Sequence, residues 1–380
     1  MADRFVEVSH QGYLSRLGSS CAGVVVGLAL VVGAPVLLFW NEGRTVHRAG
    51  DLAHAREVMV EADAGKIDPA LEGKLVHVTG QATTHEVLRD PEFNVSVNAV
   101  RLVREVEMFQ WKEDKRTRTS KNLGGSETKE TTYEYQTVWD DDLHDSSGFK
   151  HPEGHQNPRR AIDPQKFQAG QVRLGAFRLS EAQIAKFGGL TPVKDLPPPR
   201  AGQHAIPGGY YVGQSPTSPA VGDLRITFQA APPGEVSILY RQSGDTFAPF
   251  LLPHGSTADA LEMGDVGKEE MVAHLESENT VMAWILRGVG FVLLAVGISL
   301  VFRPLSVAAD VIPFVGNVVG MGTGCAAIRL ALVGAVLTIG VAWVAYRPLL
   351  GIPLLVLGGG ALIAMMVLGG KAKQRKKGKG

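Results

Sequence analysis

The sequence predicts a multi-pass membrane protein with four transmembrane helices, one N-terminal and three C-terminal, and a β-rich α+β extracytoplasmic domain between them. Three observations carry this reading. Apolar runs occupy the two ends of the 380-residue chain, a polar stretch fills the middle, and "KAKQRKKGKG", with six Lys or Arg and no acid, closes it. The averages, 20% charged residues and zero net charge, hide this segregation.

Residues 1–18 read as a cytoplasmic N-terminus and 19–40 as the first span. From Cys21 to Trp40 no residue is charged. At about 1.5 Å per residue such a run covers the roughly 30 Å hydrocarbon core. It continues into "FWNEGR" instead of a small-x-small cleavage site, as an uncleaved signal anchor does. Phe39 and Trp40 suit a half-wet interface, with Asn41, Glu42 and Arg44 in water.

Residues 41–281 form the extracytoplasmic domain. Gly43 to Ala55 can continue the helix, and "REVMVEA" and "KLVHVTGQA" alternate as strands do. In "AVRLVREVEMFQW", Val100, Leu102, Val106 and Met108 recur at period two, marking a half-buried strand. Its expected partner is "TTYEYQTVW", with Tyr133, Tyr135 and Trp139, across a long charged tip, "KEDKRTRTSKNLGGSETKE". "QVRLGAFRLS", "DLRITFQA" and "EVSILYRQ" are further strands, the last with Val236, Ile238 and Tyr240 on one face. "SEAQIAKFGG" reads as a short helix with a serine N-cap and a glycine stop.

The C-terminal block divides at two Arg-Pro pairs, Arg303–Pro304 and Arg347–Pro348, each a helix stop joined to an interfacial charge. The spans are 282–302, 325–346 and 349–369, with an interfacial or re-entrant amphipathic segment at 303–324 and a basic tail at 370–380. An even number of crossings places both termini with the positive tail in the cytoplasm. The tail can attract anionic lipid. Cys21 and Cys325 both lie in or beside apolar runs, so the domain has neither disulfide nor zinc-type cysteine cluster.

Collinear segments also resemble one family. "FVEVS", "RLGSS", "LLFWNEGR", "KLVHVTG", "VEMFQW", "YEYQTVW", "GHQNP", "VGDLRITF", "RQSGD" and "YRPL" are similar, in order and over nearly the whole chain, to the transmembrane protein 43 (LUMA) family. The resemblance implies an integral membrane protein with this span arrangement, acting as a scaffold or organiser of membrane-associated protein complexes. The animal member is associated with the endoplasmic reticulum and inner nuclear membrane, where it acts with lamins and emerin. The Gly/Ala/Val-rich composition inclines the reading to a bacterial member in the cytoplasmic membrane, for which those partners do not exist. The resemblance also nominates Trp40, Asn41, Glu42, Gly43, Gly154, His155, Asn157 and Pro158 as family-motif positions with structural roles.

Chemistry has weaker support. "WDDDLHDSSGFKHPEGHQNP" gathers Asp140, Asp141, Asp142, Asp145, His144, His151 and His155, side chains able to hold a divalent cation. Pro152 and Gly154, however, deny His151 and His155 the shared helical face of zinc hydrolases. No nucleophile elbow or phosphate-binding loop is present. No catalytic residue, metal or cofactor is therefore assigned, and the chain reads as a non-enzyme. A metal-dependent or lipid-directed membrane enzyme, or a channel or transporter, is the alternative. Asp310, Asn317 and Arg329 are intramembrane polar residues; an Asp310–Arg329 pair and two snorkelling side chains are both open readings. Glycines in "GVGFVLLAVG" and "LGGGALIAMMVLGG" suit close helix packing within the chain or between copies. The expected partners are the bilayer, other membrane proteins and a second copy of the chain, with no nucleic acid.

Overall fold

The computed structural model describes residues 3–311 and 313–353. Two units emerge: a β-rich unit of residues 1–7, 51–118 and 130–274, and a helical unit of residues 8–50, 119–129 and 275–380. The fourth expected span beyond residue 353, the basic tail and the Asn317 side chain lie outside the described residues.

In the β-rich unit two mainly antiparallel sheets share one core. The first runs in the order Asp3–Gln11, Glu127–Asp140, Arg101–Lys121, Leu224–Ala231, Gly209–Val212, Gln203–Ile206. The second is built on Leu75–Thr83 paired with Gly234–Ser243, with Val78 opposite Ile238. Alternation puts Leu102, Val106 and Met108 of one sheet and Val76, Val78, Val236 and Ile238 of the other into the same apolar cluster. Arg104 shares the buried face with Val106. Its charge is held there by Asp90, 2.8 Å away and itself fully buried.

The expected hairpin forms, but its strands extend to Lys121 and from Glu127, leaving only residues 122–126 as the tip. Threonines along both arms favour extended backbone despite the charges, and Thr117 meets Thr131 across the ladder. Gly124 and Gly125 supply the positive φ angles of the turn. The short helix α2, Glu181–Ala185, has the expected Ser180 cap, completed to a capping box by Gln183. One strand was not legible: Asp3–Gln11 pairs with Glu127–Asp140 in one sheet, although the sequence reading assigned the two segments to opposite sides of a membrane.

In the helical unit, α1 runs without interruption from Tyr13 to Val58 and tolerates Pro35, as helices in an apolar setting do. The expected helix stop at Pro304 is absent. Helix α3 spans Lys268–Ala309 with Pro304 inside it, and α4 spans Pro313–Tyr346. The segment 303–324 is thus the end of one helix, a turn at 310–311, and, from Pro313, the start of the next. The stop at Arg347–Pro348 does occur, and helix resumes at 348–353. Among the described residues three helices are long and apolar enough to cross a membrane: α1, α3, and Val319–Tyr346 of α4. Close approach replaces hydrophobic pressure as the packing force. A Cβ on Gly27 would come within 2.8 Å of the Gly297 carbonyl, and one on Gly297 within 2.9 Å of Leu30 Cβ.

Candidate functional site

The family-motif residues fall in two separate places. The first is the tract 40–43 on α1. Asn41 and Glu42 are buried, and Trp40 is exposed, as a ring at a membrane interface should be. The Glu42 carboxylate accepts from Arg287 Nε at 2.6 Å and Nη2 at 2.8 Å on α3, and from the Trp343 indole at 2.7 Å on α4. One side chain thereby joins three helices. Asn41 Nδ2 donates to the Ala283 carbonyl, and Asn279 returns a donor to the Thr45 carbonyl, so α1 and α3 are stitched through backbone acceptors as well. Gly43 is needed for space. A Cβ there would lie 2.6 Å from the Tyr346 ring, which sits between Phe39 and His47.

At the other end of the same helices Asp310, 1% exposed, accepts from Arg16 Nη2 at 2.5 Å and Lys121 Nζ at 2.7 Å. Arg16 also reaches Glu127 at 2.6 Å and donates to the Gly125 carbonyl. Along the helices the two polar clusters are about 35–39 Å apart, slightly more than a ~30 Å hydrocarbon core. Asp310 is thus paired with Arg16 and Lys121, and the pair with Arg329 does not form. Arg329 is exposed on α4. Arg16, Lys121, Glu127 and Trp343 were missed, because their only sequence signal is a polar group near an apolar run.

The second place is the tract 154–158 in the β-rich unit. Gly154 has φ +81°, a conformation that disfavours any side chain even though the space is open. It turns His155 inward, where the imidazole is 2% exposed and stacks on Tyr135 at 4.0 Å. Trp111 meets it edge-on, and Asp3 approaches Nε2 at 3.3 Å. Asn157 replaces a missing strand. Its Oδ1 accepts from the Trp111 N–H at 2.7 Å, and its Nδ2 donates to the Trp111 carbonyl at 2.9 Å and the His144 carbonyl at 3.0 Å. Pro158 fills the space left by Gly222, whose Cβ would lie 2.8 Å from the Pro158 ring. Tyr135 donates to Glu113 at 2.5 Å; burial, reinforced by that carboxylate, pushes its phenol up to about 12.

The acidic tract divides. Asp140, Asp141 and Asp142 bring carboxylate oxygens within 4.8 Å of one another, while Asp140 also meets His144 at 3.0 Å. Burial raises the Asp140 carboxyl, but donation from the Asp142 N–H and from His144 outweighs it, and the net shift is downward. Asp145 caps a 3-10 turn. His151 stacks on Phe5, and His155 belongs to the aromatic stack, so neither joins the aspartates. Asp141 and Asp142 border a groove of about 1220 Å³ that Glu105, Glu107, Arg160 and Lys166 also line.

The comparisons with known proteins agree with the motifs. A family model described as Transmembrane protein 43 matches residues 108–348. The human Transmembrane protein 43 is 33% identical over 374 residues, covering 94% of this chain and 92% of its own length. The mouse protein is 32% identical, covering 89% and 88%. The Drosophila melanogaster homolog is 31% identical, covering 87% and 91%. No solved structure matches. A membrane protein with three candidate spans among the described residues, a β-rich domain and motif residues that pack within each unit, this chain belongs to the transmembrane protein 43 family.

Proposed function

We propose that the protein is an integral membrane scaffold, an organiser of membrane-associated protein complexes. The observation that supports this is where the motif side chains direct their polar groups. Glu42 and Asn41 bond to helices of their own unit, and Asn157 to a strand of its own. Residues spent on rigidity suit a protein whose product is a fixed arrangement of surfaces.

The proposal places the protein in the bacterial cytoplasmic membrane, or in the endoplasmic reticulum and inner nuclear membrane if the chain is eukaryotic. The β-rich domain is extracytoplasmic and the basic tail cytoplasmic, with neighbouring membrane proteins and a second copy as partners. Pairing of Asp3–Gln11 with Glu127–Asp140 is a demand this orientation must meet. Single cysteines at positions 10 and 153, labelled from each side of the bilayer, test it; labelling of 153 from the cytoplasm overturns the orientation.

The test of the scaffold is crosslinking in intact cells, gentle detergent extraction and mass spectrometry of what accompanies the chain, with metal analysis of the same preparation. A reproducible assembly of membrane proteins supports it. A partner-free chain with stoichiometric metal supports instead a metal-dependent or lipid-directed membrane enzyme, which the three clustered carboxylates beside the groove favour. In that case Asp142→Asn removes the metal and His155→Phe leaves it, since His155 stands apart from the carboxylates.

A further inference from the structure

The exit tract "FWNEGR" carries two charges, and the helices answer only one of them. Glu42 is bonded to Arg287 and Trp343. Arg44 has no carboxylate partner among the described residues. Its Nη1 donates to Asn279 Oδ1 at 3.2 Å, and its Nη2 reaches Asn41 Oδ1 and Thr45 Oγ1, both at 3.4 Å. These are neutral oxygens at long range, and the Nε is buried without any partner. A guanidinium stays charged at any accessible pH, so a half-buried one among neutral acceptors still requires an anion.

Depth indicates where that anion lies. A ~30 Å hydrocarbon core centred between the Asp310 and Glu42 clusters ends near Phe39 and Trp40. The exposed rings of Trp40 on α1 and Trp284 on α3 mark the same level, because Asn41 bonds the carbonyl of Ala283. The Arg44 side chain leans back toward the helix N-terminus, as its contact with Asn41 shows. Its guanidinium therefore lies within about 5 Å outside the core edge, inside the headgroup layer.

The surface beneath it suits acyl chains. At 100° per residue Gly33, Leu37 and Trp40 share the Arg44 stripe of α1, and Met282, Leu286 and Val289 share the Asn279 stripe of α3. The Arg44–Asn279 contact joins the two stripes at their outer end, on the side of the α1–α3 seam away from Glu42 and Trp343. Leu37 and Leu286 are half-buried, while Trp40, Met282 and Val289 are exposed. Gly33 leaves the seam open, since a Cβ there would meet nothing within 4 Å. An apolar seam headed by an unanswered cation matches a molecule with an anionic head and an apolar tail, whereas a free phosphate or a protein carboxylate would use only Arg44.

We infer that Arg44 binds the phosphodiester of a glycerophospholipid in the leaflet at the Glu42 end of the bundle, with one acyl chain laid along the α1–α3 seam past Leu37 and Gly33. The planar guanidinium suits charge-assisted bonds to phosphate oxygens, and Asn279 and Asn41 orient it for them.

The experiment is native mass spectrometry of the full chain in detergent with added phosphatidylglycerol, with diacylglycerol as the phosphate-free control and inorganic phosphate as competitor. The wild type is expected to retain phosphatidylglycerol and not diacylglycerol, and excess inorganic phosphate should not displace the lipid. Arg44→Gln is expected to weaken retention about tenfold. Arg329→Gln removes the same charge from near the bilayer midplane and should change nothing. Gly33→Leu fills the open seam without touching a charge and should also weaken retention, so it decides the matter if Arg44→Gln loses its α-helical circular dichroism. Equal retention of the two lipids by the wild type overturns the inference, as does equal retention of phosphatidylglycerol by wild type and a folded Arg44→Gln. Displacement by inorganic phosphate overturns the lipid as occupant. A chain that holds no lipid but crosslinks beside residue 44 to a carboxylate of a second protein does the same.

Discussion

The two ends of the helix bundle solve one problem differently. At one end Glu42, Arg287 and Trp343 come from the three long helices alone. At the other, Asp310 is satisfied by Arg16 and by Lys121 at the end of a hairpin strand, a segment distant in sequence from every helix. The first closure is intrinsic to the bundle. The second depends on the β-hairpin having formed. A buried carboxylate with an unmatched partner costs more than the pair contributes, so both ends act chiefly as devices of specificity that penalise other helix registers.

The comparison breaks most severely at the intrinsic end. Glu42→Leu leaves the partly buried Arg287 without its anion and the Trp343 indole without its acceptor, and should lower stability by about 3 kcal/mol, read as unfolding in mixed micelles. Asp310→Asn should cost less, about 1.5–3 kcal/mol, because Arg16 keeps Glu127 and Lys121 is partly in water. That variant should also loosen the tip, so labelling of a cysteine at position 123 should rise, whereas Glu42→Leu leaves it unchanged.

In the β-rich unit Asn157→Ala strips the Trp111 N–H and carbonyl of their partners and should cost about 1–3 kcal/mol, checked by thermal unfolding. The effect of Tyr135 is smaller and depends on pH. Its folded pKa, about 12, lies above the ordinary phenol value of about 10. Its stabilising contribution is therefore full below about pH 10 and is lost as pH rises toward 12. Tyr211, beside Asp223, is also pushed up to about 12 by burial and that carboxylate. An alkaline absorbance titration should show both late steps, with Tyr135→Phe removing one of them.

What the sequence disclosed follows from range. Period-two alternation identified the hairpin arms and the Val236 face because the signal is local. The first span and its aromatic exit were legible for the same reason. Pro304 misled, since proline ends helices in water but is accommodated where neighbouring helices cover the freed carbonyl. The pairing of Asp3–Gln11 and the partners of Asp310 were invisible because nothing local encodes a contact that spans over a hundred residues. His155 was nominated by resemblance for a structural role, and what that role is, a place in an aromatic stack, needed its contacts with Tyr135 and Trp111. Asn157 was nominated by resemblance, and before Pro158 it reads as the start of a hydrogen-bonded turn; its role as a substitute strand needed the geometry of Trp111.

The most direct test of the central claim, that the exit motif works as a three-helix clasp, is a double-mutant cycle on Glu42 and Arg287. Glu42→Leu, Arg287→Leu and the double variant would be compared by equilibrium unfolding in mixed micelles. The clasp predicts strong coupling, with the double variant at least as stable as either single one, because removing both charges leaves nothing uncompensated. Additive losses would contradict it.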